Sequence, residues 1–411
     1  MNHRIVIHYA ELALKGGNRK LFVKRLRRNI WNKLVSLGFS WEVEAIHDQI
    51  FVNDVDIEAS QAEKVVKEIA RVPGIAWLSL VYWFDEKDYR FLKGKPDLQP
   101  LYDQVIEIAN KTYQSHRSFA LKVKRSDKKF PISSKQLSEN LGSLVLKHTA
   151  WQHVNLKNAD QFFYVNISSK GVAIHASKVK ATGGLPVSTT GKVLTLLSGG
   201  FDSPVASWLM ANRGCSVSYV HFSASHHNLN DIENYKIARI IKKISESTGR
   251  CRLFVVPYTH FDLALMEQDL AYDLILFRRF MARVAEQIMH DIQAEALVTG
   301  DNLGQVASQT LKNIDSMDQA VSTSILRPLL TYNKEQIIQL SVELGLFDLC
   351  NEPYKDCCAL ISTSPKTKSK AHVLKQMEEQ HLSHYEQLIN ETLSEKIEVV
   401  YNLGKLEFVK K

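Results

Sequence analysis

The residues with the clearest chemical potential are Leu196-Leu197-Ser198-Gly199-Gly200-Phe201-Asp202-Ser203, where an apolar pair runs into two glycines flanked by hydroxyls and a carboxylate. Glycines without Cβ atoms let the backbone approach a ligand closely, and Ser198 and Ser203 add hydroxyl groups. A helix beginning at Ser203 would aim its unpaired N–H groups and its positive dipole end at the same point, which suits a phosphate. This is not the GxxxxGK[ST] loop of the common nucleotide hydrolases. Gly191-Lys192 is preceded by Pro186 where the first glycine should stand and is followed by Val193.

The elements around this segment read as alternating strands and helices. Strands are expected at 193–197, 216–222, 252–256 and 296–299, and helices at 203–213, 231–247 and 274–289. Such repetition implies a parallel sheet covered by helices, with ligands beyond the carboxyl ends of the strands where the strand order switches. The second half is therefore expected to be catalytic. The tail beyond Ala371 reads as a helix, with a final strand left open. The first half has a shorter α+β rhythm, with strands at 4–9, 50–52, 76–84, 118–124, 162–167 and 172–176. Helices fall between them at 18–37, 61–70, 101–113 and 138–148. Thr182-Gly183-Gly184-Leu185-Pro186 breaks the pattern and marks the main boundary.

Charge divides the same way. Residues 1–180 carry 29 Lys and Arg against 18 Asp and Glu, a surplus of +11, whereas residues 181–411 carry 23 against 26, or −3. The front half is thus the part that would face a polyanion. Lys122 and Lys124 alternate along one strand, which ends in Arg125-Ser126-Asp127-Lys128-Lys129-Phe130-Pro131. Cations beside an aromatic suit single-stranded nucleic acid, since the cations hold phosphates while the ring stacks on a base; a solvated hairpin end is the duller alternative. The helix at 18–37 sets Leu21, Phe22, Leu26, Ile30 and Leu34 on one face and Arg25 and Arg28, among other cations, on the opposite one. The 411 residues suit several domains, no apolar run is long enough to span a membrane, and a cytosolic protein is expected. Five cysteines form no CxxC pair, which argues against a zinc ribbon or iron-sulfur cage and favours thiol chemistry in a reduced compartment; no metal-ligating set is assigned.

The segment SGGFDS after an apolar strand resembles the PP-loop of the ATP pyrophosphatases. The likeness to the tRNA uracil 4-sulfurtransferase (ThiI) family extends over nearly the whole chain. It is carried by Glu11 to Arg19, Lys124-Arg125-Ser126-Asp127, Gly183-Gly184-Leu185-Pro186, Val298 to Thr310, Arg327-Pro328-Leu329 and Pro353-Tyr354-Lys355-Asp356-Cys357-Cys358. The resemblance implies three domains: ferredoxin-like α+β at 1–60, a tRNA-binding THUMP domain at 61–180, and a PP-loop parallel-sheet domain at 186–411. It implies ATP held by Leu196, Leu197, Ser198, Gly199, Gly200, Ser203, His221, Phe222, Arg278, Gly300 and Gln309. Each has a plainer reading: the leucines as buried strand residues, His221 as a satisfied strand-end histidine, Arg278 with Arg279 as a surface pair.

By the same likeness the uridine O4 attacks the α-phosphorus of ATP and persulfide sulfur then displaces AMP. Asp202 is the candidate for organising Mg2+ or the phosphates, or else a helix cap. Lys334 is the candidate for electrostatic stabilisation, or else a surface lysine. Cys358 is the sulfur-handling thiol, with Cys357 as fallback and Cys357 or Cys350 as a partner thiol. The longer relatives carry a rhodanese domain that this sequence does not show, so sulfur is expected from a cysteine desulfurase directly. RNA contacts fall to Lys122, Lys124, Arg125, Lys128, Lys129, Arg25 and Arg28. A homodimer is left open. Other readings are a PP-loop synthetase adenylating a different substrate, or a non-catalytic tRNA-binding protein with a decayed ATP site. The family prefers glycine at the position of Ser188 and Thr-Tyr at that of Leu346-Phe347.

Overall fold

Alternation of apolar and polar residues sets the first strands. Ile5 and Ile7 are fully buried on one side of β1 (Asn2–Tyr9), and Val6 and His8 point to the other. The computed structural model describes residues 2–411 apart from 12–16, 47, 86–90, 93–94, 129, 225–228, 266–271, 355–360, 362–365 and 383. The chain divides into two units, Met1–Gly183 and Gly184–Lys411.

In the first unit β1 is followed by α1 (Arg19–Ser36), β2 (Val43–Ile46), β3 (Gln49–Val55), α2 (Ala59–Ile69) and β4 (Ile75–Asp85). A two-stranded hairpin, β5 (Phe91–Leu92) and β6 (Lys95–Pro96), leads to α3 (Gln99–Lys111), β7 (Ser118–Arg125) and α4 (Ser134–His148). The unit ends with β8 (His153–Val154), β9 (Gln161–Ser168), β10 (Gly171–His175) and β11 (Val179–Lys180). One sheet runs in the order β2-β3-β1-β4-β10-β9-β7-β8, with β11 also on β4. Residue 60 lies in the first turn of α2, and α2 packs on α1 and β4, so the first βαββαβ motif runs on through β4. Helices α3 and α4 cover one face, where Val105, Leu141 and Val145 meet Phe119, Phe163 and Ile174. On the opposite face the cluster of Val6, Phe51, Val81, Trp83 and Ala173 draws on strands alone. Along α1 the buried residues are Phe22, Leu26, Ile30, Lys33 and Leu34, while Leu21 is exposed despite its place in the expected apolar stripe. Lys33 tolerates burial because its ammonium donates to Glu68 of α2 at 2.9 Å.

The second unit holds β12 (Lys192–Leu196), α5 (Asp202–Asn212), β13 (Ser216–Ser223), α6 (Lys236–Thr248), β14 (Arg250–Pro257), α7 (Thr259–Leu265), α8 (Asp273–Asp291) and β15 (Ala296–Val298). It continues with α9 (Leu311–Asp318), β16 (Ile325–Leu326), α10 (Lys334–Glu343), α11 (Phe347–Asn351), α12 (Ala371–His381), α13 (Tyr385–Ser394), β17 (Ile397–Asn402) and β18 (Lys405–Lys410). The sheet order is β16-β15-β12-β13-β14-β17-β18. The first five strands are parallel and the tail adds two helices and an antiparallel hairpin. The chain runs outward from β12 to β14, then returns to β15 on the other side of β12. The order therefore switches between β12 and β15, and the loops after those two strands share one crevice. Both faces are closed by helices, with separate apolar cores around α5, α6 and α10 and around α8, α12 and α13. No helix among the described residues is long and apolar enough to cross a membrane.

Ser188 has φ of 69° in the left-handed region that favours glycine, and its hydroxyl lies 2.7 Å from that of Ser216. Ser188→Gly is expected to stabilise the chain by about 0.5–1 kcal/mol, because the backbone strain outweighs one exposed hydrogen bond. A denaturation midpoint that stays put or falls would contradict this.

Candidate active site and nucleic-acid surface

The glycine loop closes on itself at the carboxyl end of β12. Leu197 N–H donates to Val220 at 2.8 Å, Ser198 N–H donates to Ser203 Oγ at 2.7 Å, and the two serine hydroxyls lie 3.0 Å apart. Leu197 is buried and Leu196 half-buried, so this pair anchors the loop in the sheet. Helix α5 begins at Asp202 after Phe201, and no side chain among the described residues caps it. The first N–H groups of such a helix suit an anion. Asp202 is thus no cap; it is the first helical residue. A Cβ on Gly300 would stand 2.5 Å from the Ser203 nitrogen and 2.8 Å from the Asp202 carbonyl carbon, so the loop after β15 rests directly on the start of α5. A Cβ on Gly199 would collide with the Tyr354 ring. The missing side chains let the Tyr354 ring and the start of α5 close around this glycine cradle, whose N–H groups suit a phosphate.

Two residues 132 positions apart meet at its rim: Lys334 Nζ donates to Asp202 Oδ1 at 2.8 Å. Gln305 Nε2 donates to Asp202 Oδ2 at 3.1 Å. Lys334 opens α10, whose start is held by reciprocal bonds between Asn333 and Gln336, and its ammonium lies 5.6 Å from the Phe201 ring centre. The buried Oε1 atoms of Gln305 and Gln309 have no donor among the described residues. They are acceptors suited to an amino or hydroxyl donor on a ligand. A carboxylate beside a phosphate cradle also suits Mg2+, which takes one or two protein carboxylates together with substrate phosphates and water.

Arg278 and its neighbour are buried rather than a surface pair. Arg278 donates to Asp301 Oδ1 at 2.6 Å and to the Ser308 carbonyl at 3.1 Å. Asp301 also accepts from Arg327 at 3.2 Å and Thr299 at 2.9 Å. Burial alone would raise the Asp301 carboxyl, but Arg278 and Arg327 together hold it below the usual carboxylate range. Arg278 therefore ties the Gly300 loop to the turn carrying Gln305 and Gln309. Arg279 makes a two-pronged pair with Glu378 at 2.7 and 3.0 Å.

His221 is satisfied at both ring nitrogens. Nδ1–H donates to Leu197 O at 2.8 Å, which leaves Nε2 to accept from the Tyr354 hydroxyl at 2.8 Å. Tyr235 in turn lies 2.6 Å from Tyr354 Oη. Helix α6 starts later than the expected 231 because Tyr235 is extended (ψ 126°), which brings its hydroxyl to this chain of bonds. Buried Lys236 donates to the carbonyls of Cys350 and Glu352 at 3.0 and 2.6 Å and so fixes the segment entering Tyr354. Phe222 packs against Phe277 in the core, 6.3 Å between ring centres. Tyr354 and Gln305 sat inside the motif stretches, but nothing in their spacing revealed these partners.

Cys357 and Cys358 lie outside the described residues. Cys350 is buried, and burial pushes its thiol up to about 11.

In the first unit the strand-only face carries a row of rings. His8 stacks on Trp77 at 3.7 Å, Trp77 lies 6.3 Å from His175, and His175 stacks on Tyr164 at 4.7 Å. The Lys178 ammonium sits 4.0 Å from the Tyr164 ring centre and 4.5 Å from that of Trp77, and Lys122 sits 3.8 Å from that of Phe162. Burial first, then nearby Lys178, pushes His8 down to about 4; burial likewise lowers His175 to about 4, so both rings are neutral at pH 7. At the edge of β7 a cavity of about 470 Å³ is lined by Lys122, Lys124, Lys135, Tyr164, Asn166 and Lys178. Other expected contacts are elsewhere. Arg125 donates to the carbonyls of Phe130 and Ile132 at 2.8 and 3.1 Å, stapling its loop, and Phe130 is buried in the core rather than offered to a base. Arg25 and Arg28 are exposed on α1, away from the strand-only face, so the structure does not bring them to Lys122; Lys128 is exposed and Lys129 lies outside the described residues.

Known proteins carry the same combination. A family model described as thiamine biosynthesis protein (ThiI) matches residues 188–382, a ThiI ferredoxin-like domain matches 4–79, and a THUMP domain matches 95–175. A probable tRNA sulfurtransferase of Anoxybacillus flavithermus is 35% identical over 376 residues, covering 91% of each chain. One from Staphylococcus saprophyticus is 36% identical over 361 residues, covering 87% of this chain and 84% of its own. A 4-thiouridine synthetase crystallised with RNA and bound ATP superposes with a TM-score of 0.85 at 28% identity, over 98% of this chain and all of that one. The chain therefore belongs to the ThiI family of tRNA sulfurtransferases.

Proposed function

We propose that the chain is an ATP-dependent tRNA sulfurtransferase that converts a uridine, position 8 by resemblance, to 4-thiouridine. The observation that carries the reading is the meeting of the uncapped α5 terminus, the Gly300 loop and the Asp202–Lys334 pair at the strand-order switch. ATP lies there as substrate, its phosphates on the loop N–H groups and its donors facing Gln305 and Gln309. Asp202 would hold Mg2+ together with the phosphates, and the ion would supply neutralisation of their charge. The uridine O4 forms a bond to the α-phosphorus as the bond to pyrophosphate breaks, and Lys334 stabilises the charge that accumulates. This turns a poor leaving oxygen into the good leaving group AMP.

Cys358, loaded by a cysteine desulfurase, presents a persulfide. Its terminal sulfur bonds C4 as AMP departs; the Cys357 thiolate then bonds Cys358 Sγ, expelling the 4-thiouridine sulfur, and an added dithiol reduces the resulting disulfide for the next turnover. The tRNA is gripped by the lysine and ring face around Lys122, Tyr164 and Lys178. The test supplies ATP, Mg2+, a persulfide donor and unmodified tRNA, followed by nucleoside analysis. Expected products are 4-thiouridine, AMP and pyrophosphate in equal amounts. Pyrophosphate without thiolated base points instead to another adenylating synthetase, and neither product to a binding protein alone.

A further inference from the structure

The net acidity of residues 181–411 conceals a local concentration of positive charge. A cavity of about 610 Å³ in the second unit is lined by Lys312, Lys368, Lys370 and His372, with Asp315 as the one carboxylate among its described lining residues. Asp315 is engaged by Gln319 at 3.1 Å, whereas none of the three lysines is in an ion pair with a described residue. All three are exposed, and α12 starts at the cavity wall with no side-chain cap. An uncompensated cluster of cations at an open helix terminus attracts anions.

The wall is built rather than incidental. Buried Ser369 donates to Asn313 Oδ1 at 2.8 Å, and its hydroxyl oxygen lies 2.7 Å from that of Ser316. Asn313 donates to the carbonyls of Lys366 and Ala307 at 2.9 and 2.8 Å, and Thr310 donates to the Thr367 carbonyl at 2.7 Å. The lysine segment is thereby stitched to the turn that delivers Gln305 to Asp202. On that turn and its continuation Leu303, Val306 and Leu311 are exposed. Exposed apolar side chains on the turn beside a cavity lined by three lysines match the alternation of base and phosphodiester along an RNA strand.

We propose that this cavity binds a backbone phosphate of the RNA substrate, giving the catalytic unit an RNA contact of its own. The inference rests on RNA being the substrate. Its test is the affinity of unmodified tRNA across a salt series for wild type, Lys368→Glu/Lys370→Glu and Lys312→Gln, with Lys405→Glu on β18 as control. The double variant is expected to bind tRNA at least about tenfold more weakly and to lose about one unit of log–log salt slope per phosphate contact removed. ATP affinity and melting temperature should stay unchanged, and Lys312→Gln should weaken binding less. Wild-type affinity and slope in the double variant overturn the proposal, as does loss of binding to anionic vesicles with tRNA binding intact. If wild type thiolates tRNA while the variants bind normally, this inference alone fails. If wild type does not bind tRNA, the functional reading falls with it.

Discussion

Lys334→Ala is expected to slow 4-thiouridine formation by about 10²–10³-fold, with tRNA affinity and melting temperature nearly unchanged. The Lys334 side chain is 44% exposed and that of Asp202 21%, so their 2.8 Å pair contributes little to stability. In the proposed reaction its value would lie where charge develops on the phosphates. Asp202→Asn should cost a similar factor, because the amide keeps the shape but loses the charge that Mg2+ needs. The double variant should be little worse than either single one, since the two groups act as a unit. Single-turnover thiolation at saturating ATP measures all three. A Lys334→Ala enzyme within threefold of wild type, or a double variant whose losses multiply, would separate these residues from the reaction.

Gly300→Ala should be nearly as damaging for a different reason. The new methyl would face three backbone atoms of Asp202 and Ser203 between 2.5 and 2.8 Å away, and backbone cannot rotate aside as a side chain can. Either the loop after β15 or the start of α5 must retreat. That displaces the N–H groups from the phosphates, and a misplacement near 1 Å costs about 10²-fold in rate. Overpacking of this kind also destabilises by about 1–3 kcal/mol. Gly304→Ala is the matched control, since its Cβ would meet nothing within 4 Å although its φ of 74° carries a modest strain. ATP-binding calorimetry and turnover on both variants decide: equal losses would mean that contact with α5 is irrelevant.

The glycine loop between β12 and α5 was legible because its parts are contiguous: a buried strand, two glycines and a helix start follow one another in eight residues. The parallel sheet was legible from strand–helix alternation, while its antiparallel extension was not, since β17 and β18 alternate no differently from parallel strands. Asp202 and Lys334 were each singled out, but their pairing across 132 residues belongs to the fold. For Arg278 the surface-pair alternative fails because its guanidinium is buried on Asp301, a partner that no local spacing announces. Phe130 misled by context, because the Arg125 staple turns it inward. The row of His8, Trp77, His175 and Tyr164 was invisible because its members come from four strands. Regional charge sums pointed to the first half and cancelled the lysine cluster in the second.

The two outer strands of the catalytic sheet bear on how copies of the chain can meet. On one side β16 is two residues long, offering almost no ladder to extend. On the other, β18 is largely exposed and sets Lys405, Glu407 and Lys410 along its length. Charged or very short borders of this kind resist the addition of a foreign strand, and with it growth into fibrils. The sheet that carries the crevice between β12 and β15 is thereby shielded at both borders from edge-to-edge pairing.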